Sequence, residues 1–432
     1  MFMVGQEPLF VWVVISGLLL FERLGFIPIS HFQIIIIKTT IAMYQLLKTL
    51  LFFVILSIAL TSCKSSEKDE SITKVEVKNS KPSTFKLSDL GTIDIDYIPL
   101  ETKRESLITK ISKIISDGDD FYVETVAGVL KFDSNGKFVS NIGKKGRGPQ
   151  EYLTCADISI DTLKNIYILS VIQKKIFVYD NHGNFIQTIE TSEGVTDIIC
   201  FNKGILCYSR NGYGNIENSF HIVSYTGKQI KAFPNKYKFE PLKNGVLFPD
   251  EYLDYKWNNQ IFIKEKYSDT IFSFSNMQFT PKIILDRGDK TMKISVKRDI
   301  KGIDDMLKLR GKYTIDNTLL YFGNFMYLSY EYDKRIFLFL YNFANETQYF
   351  INAGEGFKNN FDCGLNFYPR TTLDDNSIAS WVSPKKLKAH IVSETFKNST
   401  PIYPVRKKAL EKLANSLDEN DNPVLMLVKL KE

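Results

Sequence analysis

Histidine and cysteine are scarce, at four and five residues in a chain of 432. No CxxC occurs, and no two histidines stand at HxH or HExxH spacing, so zinc and CxxC redox chemistry find little material here. Neither sign of charge is in excess: 55 Lys and Arg face 49 Asp and Glu, a net of +6. That balance, without a basic block interleaved with aromatics, argues against a nucleic-acid partner. No apolar run reaches the about 20 residues of a comfortable membrane span. A Gly-x-Ser-x-Gly elbow is absent, as is a phosphate-binding Gly-Lys-Ser/Thr. What is present is a folding composition, 44% hydrophobic and 13% aromatic, which excludes a disordered or fibrous chain.

The N-terminal part addresses the chain. Leu50 to Leu60 is a run of eleven apolar or small residues preceded by Lys48 and closed by Leu60-Thr61-Ser62-Cys63. A short apolar stretch behind a positive charge and ending in small residues is a secretory signal. Its ending resembles the lipobox of bacterial lipoproteins, which implies acylation of Cys63 and anchoring by acyl chains in place of the removed segment. Met43 gives a signal of ordinary length over 43–62. Residues 1–42, with apolar runs at Leu9–Phe21 and Ile34–Ile37, then read as an upstream mis-start. Residues 63–90, rich in Lys, Ser, Glu and Asp, read as a flexible tether.

From Gly91 onward the chain repeats. Short β-type runs alternate with turns: Ile111–Ile115, Phe121–Val123, Val129–Phe132, the turn Asp133-Ser134-Asn135-Gly136, then Lys137–Ile142. The pattern recurs through Asp180-Asn181-His182-Gly183 and Ser224-Tyr225-Thr226-Gly227. The steps are 47 residues from Gly136 to Gly183 and 44 from Gly183 to Gly227. Four strands per period in the forties is the signature of a β-propeller blade. Counting onward gives six blades, an all-β fold over 91–432, with an insertion at Arg287–Lys312 that includes a helical turn or two near Ile300–Leu307. Residues 92–99 alternate as a strand, Val405–Leu417 reads as a basic helix, and Val424–Leu430 reads as a strand. The two end strands are the expected partners in the closing blade, because closure removes an open edge.

Three stretches carry a family resemblance: Tyr97-Ile98-Pro99-Leu100-Glu101-Thr102, Ile142-Gly143-Lys144-Lys145-Gly146-Arg147-Gly148-Pro149-Gln150-Glu151-Tyr152, and Glu419-Asn420-Asp421-Asn422-Pro423-Val424-Leu425. Together they resemble the six-bladed β-propeller lipoproteins of gut Gram-negative bacteria, relatives of the NHL-repeat propellers. The resemblance implies the propeller fold and a place in the cell envelope, lipid-anchored at the outer membrane. It implies no activity.

The candidate ligand loop is Lys144, Lys145, Arg147, Glu151 and Tyr152, where glycines bring three cations together. Its simpler reading is an inter-blade turn with Arg147 and Glu151 paired locally. His182, His221 and His390 are scattered, and Asp117, Asp119 and Asp120 read as a solvated turn, so no metal site and no cofactor are expected. A hairpin centred between Lys203 and Gly204 would set Cys200 opposite Cys207, but two small buried side chains are the expectation. Two functions follow. The first is a non-catalytic binding or scaffold propeller whose ligand is a protein, a peptide or a glycan. The alternative is a propeller hydrolase or lyase, which needs a metal or paired carboxylates at the mouth of the central channel.

Overall fold

The structure is a computed structural model that describes residues 72–77, 80–240, 251–297, 300 and 302–431, with isolated positions between 39 and 50. The signal segment and Cys63 lie outside the described residues. Among those described, no helix is long and apolar enough to cross a membrane.

Six antiparallel four-strand blades follow one another around a ring, and the sheet of the fourth is extended to five strands by a parallel strand at its outer edge. Three strands precede the first complete blade: β1 (Thr73–Glu76), β2 (Phe85–Lys86) and β3 (Thr92–Pro99). Blade 1 is β4 (Ile111–Ser116), β5 (Asp120–Thr125), β6 (Gly128–Asp133) and β7 (Phe138–Ile142). Blade 2 is β8 (Asp157–Ile160), β9 (Ile166–Ser170), β10 (Lys175–Tyr179) and β11 (Phe185–Glu190). Blade 3 is β12 (Val195–Phe201), β13 (Gly204–Ser209), β14 (Asn218–Val223) and β15 (Gln229–Pro234). Blade 4 is β16 (Tyr252–Trp257), β17 (Gln260–Glu265), β18 (Thr270–Ser275) and β19 (Gln278–Asp286). The insertion then carries α1 (Ile294–Lys297) and α2 (Ile303–Lys312), so the expected helical turn extends further towards the C-terminus than the sequence suggests. Blade 5 is β20 (Ile315–Phe322), β21 (Phe325–Tyr332), β22 (Arg335–Asn342) and β23 (Thr347–Ile351), followed by the short β24 (Phe357–Lys358). Blade 6 is β25 (Thr371–Asp374), β26 (Ser377–Val382) and β27 (Val424–Leu430), completed by β3. Between β26 and β27 run α3 (Pro384–Ile391), α4 (Glu394–Lys397) and α5 (Pro404–Ser416).

The tight turns form for a local reason. In the first, the Asp133 carboxylate accepts hydrogen bonds from the backbone N–H groups of Asn135 and Lys137, and Gly136 takes φ +81°. Asp180 repeats this with His182 and Asn184. Glycine at 136 also answers to closure: a Cβ there would lie 2.2 Å from the Pro99 carbonyl oxygen at the end of β3.

Closure occurs where the end strands predict it. Val424 to Leu430 pairs with β3 in antiparallel register, with Met426 opposite Tyr97, and Val424–Met426 and Val428 are fully buried. Each blade interface has its own apolar cluster; Ile142, Ile158 and Phe177 join blades 1 and 2, and Val178, Ile198 and Cys207 join blades 2 and 3.

Within the stretch expected to be a tether, Thr73–Glu76 and Phe85–Lys86 are strands paired to the ring. β1 pairs in parallel with β19, Ser83 bridges Ile351 at the end of β23, and β2 pairs with β24. The chain therefore covers the outer edges of blades 4 and 5 before it becomes the outer strand of blade 6. Only Val75 in β1 needs to be apolar, because backbone pairing carries the rest, and its side chain is fully buried. Cys200 lies opposite Ile205 and Cys207 opposite Ile198, so the two sit on the same face but two positions out of register; both are buried free thiols.

Candidate functional site

In each blade the chain enters at the innermost strand from one face of the ring. That face also carries the connections between blades and the turns between second and third strands. The upper ends of β4, β8, β12 and β16 bring ionisable side chains together. Lys113 Nζ lies 2.7 Å from Asp157 Oδ1, across the junction of blades 1 and 2. The second Asp157 oxygen accepts the Ile198 backbone N–H at 2.8 Å, which ties blade 2 to blade 3. Glu124 on β5 stands directly opposite Lys113. Asp197 accepts the Thr196 hydroxyl at 2.6 Å, and Asp254 completes the group from blade 4.

Their electrostatics are those of a crowded, partly dry mouth. Burial pushes the Asp197 carboxyl up to about 7, and the charges of Asp157 and Asp254 add to the effect. Burial pushes Glu124 up to about 8, reinforced by Asp157 and opposed by Lys113. Asp254 is raised by burial despite Lys113. Burial works against the Lys113 ammonium, but Asp157, Asp254 and Glu124 outweigh it and hold its pKa above the ordinary value. Lys113 thus stands among four carboxyl groups, with Lys256 further along β16 also acting on Asp254, and two of the carboxyls are half-protonated or protonated at neutral pH. Such a set can both donate and accept hydrogen bonds towards a ligand.

The fifth inner strand is closed off. Asp316 on β20 is bound by Lys264 at 2.6 Å and by Arg287 at 2.8 Å. Burial would raise its carboxyl, but Arg287 and Lys264 bring it down to about 2.

The loop singled out in the sequence connects blade 1 to blade 2 and leads into Asp157. Glu151 is its organiser: it pairs with Lys144 at 3.1 Å and accepts the Gly148 N–H at 2.9 Å. The Arg147–Glu151 pairing expected from sequence is thus made by Lys144, and Arg147 stands exposed. Lys145 Nζ donates to the Val126 carbonyl at 3.0 Å. Tyr152 is buried, with its hydroxyl between the Val129 N–H and the Ile142 carbonyl. The structure brings Lys144 and Glu151 together and turns Tyr152 into the interior. His182 is exposed, His221 is buried in β14, and His390 contacts the Cys363 carbonyl at 2.8 Å. Among the described residues, no three His, Cys, Asp or Glu side chains converge on a metal-sized point.

Lys113, Glu124, Asp157, Asp197 and Asp254 are not singled out by sequence reasoning. The signal is an ionisable residue third in an inner strand, in Ile-Ser-Lys, Val-Thr-Asp and Tyr-Leu-Asp.

A domain of unknown function, DUF4934, matches residues 70–429, from just before β1 to within the closing strand. The chain belongs to the DUF4934 family. No curated protein matches it. Among solved structures, the DUF4934 chain is similar to a Bacteroides fragilis protein described as exported. That likeness has a TM-score of 0.62 and 16% identity and covers 84% of this chain and all of that one. A DUF4221 family member from Bacteroides vulgatus aligns at 11% identity and TM-score 0.47, over 79% of this chain and 97% of that one. The first likeness shows the propeller fold of the DUF4934 chain.

Proposed function

We propose that this protein is a lipid-anchored propeller of the cell envelope that binds a ligand, without transforming it, at the upper mouth of its channel. The observation that carries the reading is the convergence of Lys113, Asp157, Asp197 and Asp254 from four consecutive blades. A purely structural ring would fill this place with apolar side chains, since buried charge is costly unless it is used or fully paired. Envelope placement is supported by the Leu60–Cys63 motif and agrees with the description of the Bacteroides fragilis protein as exported. The ligand class is a protein segment, a peptide or a glycan, read by a mixed set of donors and acceptors.

A thermal-shift screen of the full chain against peptides and envelope saccharides tests this, with Asp254→Asn in parallel. The reading expects a rise in melting temperature that Asp254→Asn loses, with the compound recovered intact by mass spectrometry. An equal rise in both proteins removes the mouth as the site. A cleaved or eliminated compound replaces binding by catalysis.

A further inference from the structure

A second cleft lies apart from the channel, in the flank of blade 3 beside the loop that arrives from blade 2. It holds about 270 Å³ and is lined by Ser192, Ser209, Asn218, His221 and Gln229, with Glu193 and Glu217 among its wall residues. Topology assembles it. Ser192 and Glu193 sit on the loop between β11 and β12, Ser209 ends β13, and His221 lies on β14 in register with Cys207 and Ala232.

Three features set this cleft apart from an ordinary gap between blades. First, Ser192 Oγ and His221 Nε2 share a hydrogen bond at 3.2 Å, with the imidazole 5% exposed and the hydroxyl on an exposed residue. Burial lowers the His221 pKa, so the ring is neutral and offers one donor and one acceptor. Second, Ser209 is only 3% exposed, yet its hydroxyl bonds no protein group among the described residues. The half-buried Asn218 and the exposed Gln229 place side-chain amides at the rim of the same cleft. A hydroxyl at a buried wall that bonds no described protein group is free to serve a ligand. Third, no lysine or arginine is among the described lining residues. The cleft's two carboxylates are exposed, Glu217 held by Lys238 and Glu193 lying 3.9 Å from Lys174. Such exposed pairs are weak and readily exchanged for a ligand's ammonium group.

We propose that this cleft binds a small polyhydroxylated amine, of the size and chemistry of one amino-sugar ring. The hydroxyl groups are read by Ser192, Ser209, His221 and the two amides, and the ammonium group by Glu193 and Glu217. An anion is disfavoured, because the charged residues among the described lining are both carboxylates, and a ligand's ammonium group would take the place of Lys238 and Lys174. The volume is below the range of drug-sized pockets, so a single ring fits better than a chain. This inference is independent of the channel reading.

The test is ligand-observed NMR titration of the full chain with glucosamine, glucose, N-acetylglucosamine and putrescine. The expected result is saturable binding of glucosamine, with each of the other three weaker by about tenfold or more. Glu193→Gln with Glu217→Gln is expected to abolish the preference over glucose. Asn218→Ala and Gln229→Ala, both outside the apolar core, are expected to weaken glucosamine while leaving the melting temperature in place. No saturable glucosamine binding overturns the proposal. So does putrescine or glucose binding as tightly as glucosamine, or binding that the amide variants leave unchanged.

Discussion

Lys113 of blade 1 and Asp157 of blade 2 form a 2.7 Å ion pair at the upper ends of neighbouring inner strands, and the same carboxylate receives the Ile198 N–H of blade 3. One side chain thus joins three blades at the place where the channel opens. The surrounding carboxyls of Glu124, Asp197 and Asp254 are held back from ionising, and Lys113 is the cation paired directly with Asp157.

Removing that cation leaves Asp157 buried without its partner. Breaking a fully buried pair costs about 3–5 kcal/mol, and Lys113 is partly open to the channel, so Lys113→Met is expected to lose about 2 kcal/mol. Asp157→Asn keeps a hydrogen-bond acceptor for Ile198 and is expected to lose less. Chemical denaturation of the two variants checks the order; equal, negligible losses would remove the ion pair from the account.

Asp197 gives the mouth a pH dependence of definite sign. Its folded pKa, about 7, lies above the ordinary carboxylate value, so the folded protein binds this proton more tightly than the unfolded chain. Stability from this group is therefore full below the ordinary value and is lost as pH rises towards and through 7. Asp197→Asn cannot ionise. Its melting temperature relative to wild type is expected to climb between pH 5 and pH 8.5; a constant difference across that range would contradict the burial of the carboxyl.

How much of this is legible in sequence follows the range of each signal. The meander is legible because Asp133, Gly136, Asp180 and Gly183 encode turns within four residues of one another. Closure is legible because Ile93, Ile95 and Tyr97 alternate and Val424–Val428 is continuously apolar. β1 escapes because Val75 is the only buried side chain in Thr73–Glu76. The α3 helix escapes although its start is written plainly: Ser383 accepts the Lys386 N–H, Pro384 opens the first turn, and Leu387 and Ile391 form the buried stripe. The mouth escapes for a different reason. Its members are single residues 40 to 57 positions apart from Lys113 through Asp157 and Asp197 to Asp254, and only ring closure makes them neighbours.

The covering of blade 4 by β1 carries its own expectation. Val75→Asp places a carboxylate in the cluster formed by Leu285, Ile283 and Leu328 and should release β1 from β19. Faster amide exchange confined to Thr270–Asp286, measured by mass spectrometry, is the expected sign. Unchanged exchange there would show that the strand adds no protection.

Truncation after Asn422 removes β27, the strand between β26 and β3. Each buried Val, Leu or Met contributes roughly 1.5–3 kcal/mol, so the loss rivals the stability of a domain. The truncated chain is expected to aggregate or to melt without cooperativity. A cooperative transition at the wild-type temperature would make β27 dispensable.

The proposed anchor rests on Cys63. Cys63→Ser is expected to move the protein from the membrane fraction to the soluble fraction, and deletion of residues 1–42 is expected to leave it in the membrane fraction. Membrane retention of Cys63→Ser would contradict acylation as the anchor, and loss of export on deleting 1–42 would make the upstream segment part of the signal.

The most direct measurement of the central claim is a crystal structure of the protein with the ligand selected by the thermal-shift screen. The account predicts an intact ligand seated between blades 1 and 4, within hydrogen-bond distance of Asp197 and Asp254. A ligand bound elsewhere with the mouth left to solvent, or a reaction product lying in it, would contradict the account.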